Sequence, residues 1–94
     1  MQIKANEPLR DLAGEPLKTP EGELTQGYAI ANILLSSQME GKMKLFVLAD
    51  KFYKNEKVEV DKADLSLIKK SIEQDRTTNN LVSGQLLLMI DNLK

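Results

Sequence analysis

Ninety-four residues leave room for one small domain, and the chain is read as a single unit over 1–94. With 41% hydrophobic and 29% charged residues and a formal net charge of -1, the composition is that of a globular chain and excludes disorder and low-complexity repeats. Cys, His and Trp are all missing, which excludes disulfides, thiolate and imidazole metal ligands, cysteine nucleophiles and any triad built on a histidine base.

The first 23 residues differ from the rest. Pro8, Pro16, Pro20, Gly14 and Gly22 all fall here, and Leu9, Leu12 and Leu17 stand singly among polar neighbours. Gly14 marks one turn and Thr19-Pro20-Glu21-Gly22 a second, so an extended arm or small irregular hairpin is expected. Pro8 and Pro16 confine any strand here to an edge.

From Leu24 onward the pattern turns helical. Thr25 is placed to cap a first helix over about Gln26–Ser36. Leu24, Tyr28, Ala31 and Leu35 make its inner stripe, which Ile30, Ile33 and Leu34 widen into a mostly buried helix. A second helix is expected over about Lys42–Lys54, with Leu45, Leu48, Ala49 and Phe52 on one face and Lys51 and Lys54 at its carbonyl end. Lys42, Lys44, Lys51, Lys54 and Lys57 form the one local basic excess, read as a solvated face. Val58-Glu59-Val60 alternates like a short strand able to pair with the N-terminal arm.

Asp61 then caps a third helix, with Asp64 at the far corner of a capping box and Leu65, Ile68 and Ile72 facing inward. After the polar stretch Arg76–Asn80, Asn79 or Asn80 caps a fourth helix over about Leu81–Asn92, carrying Val82, Leu86, Met89, Ile90 and Leu93 at helical spacing. Fifteen Leu and six Ile against four Val favour helix over sheet. The fold class expected is therefore mainly α: a bundle of about four helices with a small β component in which the arm pairs with residues 58–60. Leu45, Leu48, Phe52, Leu65, Ile68, Ile72, Leu86 and Ile90 are its expected core.

Functional chemistry is sparse. The carboxylate pairs Glu21/Glu23, Glu59/Asp61 and Asp61/Asp64 sit in a turn or at a helix start, where acids cap and complement the dipole rather than catalyse. Asp11, Glu15, Glu21 and Glu23 lack the spacing of a calcium loop, and no phosphate-binding glycine motif occurs. No enzyme activity, cofactor or metal is expected. The passage from the second helix through residues 58–60 to the third mimics a helix-turn-helix, but Asp61 and Asp64 at the leading end of a recognition helix would repel phosphates. The apolar runs Tyr28–Ala31 and Ile33–Leu35, broken by Asn32, fall far short of the roughly 20 residues that span a bilayer. An intracellular protein without a membrane segment is expected.

The fourth helix carries the one interaction signal. Leu86-Leu87-Leu88-Met89-Ile90 is apolar almost all round; at 100° per residue Leu86, Met89, Ile90 and Leu93 share a face, while Leu87 and Leu88 point to its flanks. Leu88 stands one heptad after Leu81. Leu81, Leu87 and Leu88 are thus the candidate surface for a protein partner or a second copy. Gly27 and Gly84, in the first turns of the first and fourth helices, read either as points of close approach or as ordinary tolerance near a helix end.

The opening Met-x-Ile-Lys, Leu12-Ala13-Gly14-Glu15-Pro16-Leu17 and the run Glu23–Leu35 resemble small bacteriophage and prophage proteins of unknown function. Leu48–Tyr53, Val58-Glu59-Val60, Asp64–Lys70 and Leu81–Gln85 fit the same pattern. The resemblance implies an origin in a virus or mobile element, location in the host cytoplasm or in the virion, and a small accessory or assembly role without catalytic residues. A non-catalytic interaction protein that docks on another protein or, as a homo-oligomer, on its own copy is the favoured expectation, and a nucleic-acid-associated regulator the alternative.

Overall fold

Helix boundaries follow local capping chemistry. The computed structural model describes residues 1–93. Helix α1 spans Gln26–Ser36, α2 Lys42–Lys54, α3 Lys62–Gln74 and α4 Asn80–Asn92. Thr25 caps α1 by accepting from the Tyr28 amide at 3.2 Å. Asp61 caps α3 through Asp64 N–H at 2.7 Å, and Asn79 caps α4 through Val82 N–H at 3.0 Å. Each satisfies an amide the first turn leaves without a helical partner. Helix α2 has no side-chain cap; Gly41, at φ +83°, turns the chain into it through the left-handed region that glycine enters without strain.

The β component is small and split in two. Strand β1 (Gln2–Lys4) pairs antiparallel with β4 (Lys57–Glu59), setting Ile3 opposite Val58, both buried. The arm therefore does pair with the strand after α2. Strands β2 (Lys18–Thr19) and β3 (Gly22–Glu23) form a separate tiny hairpin around Pro20-Glu21. Between them three leucines join by backbone hydrogen bonds: Leu9 N–H to Leu24 O, Leu17 N–H to Leu9 O and Leu24 N–H to Leu17 O, all within 2.9 Å. Pro8 and Pro16 occupy isolated bridges, where a missing N–H costs least.

The arm is held on two helices of the bundle, α1 and α4. Gly27 N–H donates to Ala5 O at 2.8 Å and Gln26 N–H to Glu7 O at 2.9 Å, holding the arm on the start of α1. The Gln85 side chain of α4 grips the Arg10 backbone in both directions, accepting from its N–H and donating to its carbonyl. Gly27 is a genuine point of close approach: a Cβ there would lie 2.6 Å from both Ala5 Cβ and Phe52 O. Around Gly84 the space is open, so that glycine is the ordinary kind.

The expected core residues of α2, α3 and α4 are all buried, with Ile68, Leu86 and Ile90 fully enclosed. A Leu, Ile or Phe side chain buried to this degree contributes roughly 1.5–3 kcal/mol. Helix α1 departs from expectation. Its core seam is Ile30, Ile33 and Leu34, whereas Leu35 is 60% exposed and Leu24 and Tyr28 only half-buried. The line from Tyr28 to Leu35 runs along the edge between α1 and α2, where no further element covers it.

Candidate functional site

That uncovered edge is a groove. Helices α1 and α2 turn their main apolar seams into the core, and each offers a second stripe one step round its circumference. On α1 the stripe is Tyr28, Ala31, Leu35; on α2 it is Phe46, Ala49, Tyr53, with the same spacing of three and then four residues. The two stripes line one depression of about 340 Å³. Ala31 and Ala49 are buried and make its floor, because their short side chains let the walls stand above them.

Phe46 and Tyr53 are 59% and 65% exposed, an unusual state for aromatic side chains and more so when paired with an exposed Leu35. Met43 and Val47, also exposed, extend the apolar surface along the outer side of α2. At one end the groove passes Leu35 and Phe46 toward Lys42 and Gln38. At the other, the Tyr28 and Tyr53 rings lie with centroids 6.3 Å apart at 41°, and the surface continues into a second depression of about 420 Å³ bounded by the arm.

Glu21, Glu23 and Glu56 stand round this second depression with Lys54, whose Nζ lies 3.0 Å from Asp50 Oδ1. The groove thus has an apolar middle and an acidic end.

The sequence-expected surface on α4 is only partly assembled. Leu88 is 64% exposed, Leu81 is half-buried, and Leu87 leans back to pack against the core. The three do not make one surface. Leu88 remains an isolated exposed leucine, with Leu81 half-sheltered on the same side of the helix. Another cavity, of about 610 Å³, opens beside α3 and the end of α4. Met1, Leu65 and Ile90 give it an apolar floor, and Lys62, Lys70 and Glu73 stand round its rim.

The perturbed carboxyls serve the fold. The Lys44 ammonium, 2.8 Å from Asp64 Oδ1, holds the Asp64 carboxyl below its usual range against burial that pushes it up. The Asp61 backbone and Lys51 act in the same direction as Lys44. Asp64 is covered by close local packing yet lies near the surface, and the pair ties α2 to α3. The tertiary ion pair is thus added to the reciprocal contact between Asp61 and Asp64 at the helix start. At Asp75, burial pulls the carboxyl up, but hydrogen bonds from Thr78 and Thr77 outweigh it and leave the group lowered. Asp75 ends α3 and shapes the turn into α4.

Sequence reasoning placed Leu35 in the inner stripe of α1 and did not single out Phe46 or Tyr53. The available signal was the surplus of large apolar side chains on α1 and α2 beyond what one seam each can bury. Among the described residues, no helix is long and apolar enough to cross a membrane. No protein-family model, curated protein or solved structure matches this chain.

Proposed function

We propose that this is a non-catalytic accessory or assembly protein that works by docking another protein in the groove between α1 and α2. The observation that carries the reading is the exposure of Leu35, Phe46 and Tyr53 around the buried Ala31 and Ala49. A helix laid in such a groove buries its own apolar stripe and removes all three side chains from water. Placement in a phage or prophage, in the host cytoplasm or the virion, is supported by the resemblance drawn from the sequence.

The nucleic-acid alternative has less support. At the leading end of α3, Asp61 is a cap and Asp64 is held by Lys44, leaving carboxylates where phosphates would have to approach.

The test is affinity purification from the native host under infection or induction, comparing the wild type with a Leu35→Lys/Phe46→Lys double variant. Both positions are exposed, so the variant should keep the wild-type circular dichroism spectrum and melting temperature. A partner identified by mass spectrometry that the wild type retains and the variant loses supports the groove. A partner retained equally by both rejects it.

A further inference from the structure

Resting on the groove reading above, we infer that the acidic end of the groove receives an arginine or lysine side chain of the docked helix, and that this contact fixes which way round the helix lies. The two tyrosine rings at 6.3 Å and 41° form a tilted aromatic wall open to solvent, and Tyr28, Tyr53 and Glu21 are common to the apolar groove and the acidic depression. A side chain leaving the apolar stripe at that end passes from aromatic faces directly to carboxylates. Arginine and lysine match that order, since an apolar stem lies on the groove while the charged head meets ring faces and acids.

The charge balance points the same way. Glu21, Glu23 and Glu56 form no ion pair among the described residues; Lys18 stands cross-strand from Glu23 without closing one. Lys54, the one cation lining this depression among the described residues, is already on Asp50. The acids are spread round the mouth, and among the described residues no group of three is placed to hold a metal ion. A long, flexible side chain can bring its cationic head to any of these acids, and the broad head of arginine matches their spread best. The opposite end of the groove carries Lys42 and would repel the same cation.

The probes are two synthetic amphipathic helices with an identical leucine stripe, one neutral and one carrying a single arginine just beyond one end of the stripe. Each is titrated into the full chain, with amide chemical shifts locating the site and calorimetry giving the affinity. The arginine helix is expected to bind roughly two- to thirtyfold more tightly, the range of a cation on aromatic faces. The gain should shrink to what the ring faces alone supply in a Glu21→Gln/Glu23→Gln/Glu56→Gln variant, and shrink at high salt. A spin label beside the arginine should broaden Glu56 rather than Lys42, and should still do so when the arginine and label move to the other end of the stripe. Equal affinity of both helices at the groove overturns the cation site and leaves the groove standing. Failure of both to bind there overturns the two together.

Discussion

Replacing Gly27 by Ala should destabilise the protein, although a first-turn glycine in a helix ordinarily gains from that change. Alanine is favoured over glycine in a helix by up to about 1 kcal/mol, and by less so near the N-terminus. Against that stands the packing. The added Cβ would meet Ala5 Cβ and Phe52 O at 2.6 Å and Ala5 O at 2.9 Å. Two of the three atoms are backbone, held by the arm on one side and the last turns of α2 on the other. Relief requires the arm to move off α1, which stretches the Gly27 N–H to Ala5 O hydrogen bond of 2.8 Å. Overpacking of this kind costs about 1–3 kcal/mol, and the hydrogen bond adds about 1 kcal/mol. The net loss is about 2 kcal/mol, or roughly 8–16 °C in melting temperature for a domain of this size. Gly84→Ala supplies the control, because nothing lies within 4 Å of its Cβ position and a gain of about 0.5–1 kcal/mol is expected. Urea unfolding followed at 222 nm measures both variants. A Gly27→Ala protein as stable as wild type would refute the close approach of arm and helix.

Three further outcomes are expected. Ile68→Ala, at a fully enclosed position, should cost about 2–5 kcal/mol in the same urea assay; a loss under about half a kilocalorie would contradict the packing of α3. The Asp64 carboxyl is lowered in the folded state, so its stabilisation is present above the unfolded carboxyl value of about 3.9 and is lost as pH falls through the folded value. Asp64→Asn should therefore be less stable than wild type at neutral pH, with the gap closing in acid; a gap independent of pH down to full protonation would show that charge is not its source. Lys44, raised by the same pair, keeps its contribution below its ordinary value of 10.5 and loses it only as pH rises through the folded value, so the gap should also narrow in strong alkali. Leu88→Lys should leave helicity and melting nearly intact and, if α4 joins two copies, shift the wild-type species toward monomer in analytical ultracentrifugation. A wild type already monomeric at high micromolar concentration removes that role from Leu88.

Much of the fold is legible in the sequence because its signals are local. Thr25, Asp61 and Asn79 each bond an amide three residues on, so the starts of α1, α3 and α4 can be read from short windows. The same holds for the inward stripe of α3, where Leu65, Ile68 and Ile72 have no competing apolar face. Helix α1 is different. It carries two overlapping stripes, and periodicity alone cannot say whether Leu34 or Leu35 faces the core. That choice is made by where α2, α3 and α4 lie. The arm shows the same limit: Leu9 is buried, but Leu12, three residues on in the same alternating run, is almost fully exposed at the tip of the Gly14 turn. The Gln85 grip on Arg10 joins residues 75 positions apart and leaves no mark in any short window.

The site was harder to read than the fold for a related reason. A groove is defined by what fails to cover it, and that depends on every other element having been placed. Leu87 and Leu88 attract attention because five apolar residues stand in a row, yet the small core absorbs Leu87. Phe46 and Tyr53 lie among lysines on a strongly charged helix and look like the margin of a core stripe. The arm completes the site. By seating Ala5 against Gly27 and linking Leu9, Leu17 and Leu24, it brings the Glu21 turn to the mouth of the groove beside Tyr28 and Tyr53. Without that placement the α1–α2 edge would be a plain apolar seam with Lys42 and the Asp50–Lys54 pair along it, and it would have no preferred direction. One segment, with all three prolines of the chain, thus holds the helix pair together and sets the charge at the end of its groove.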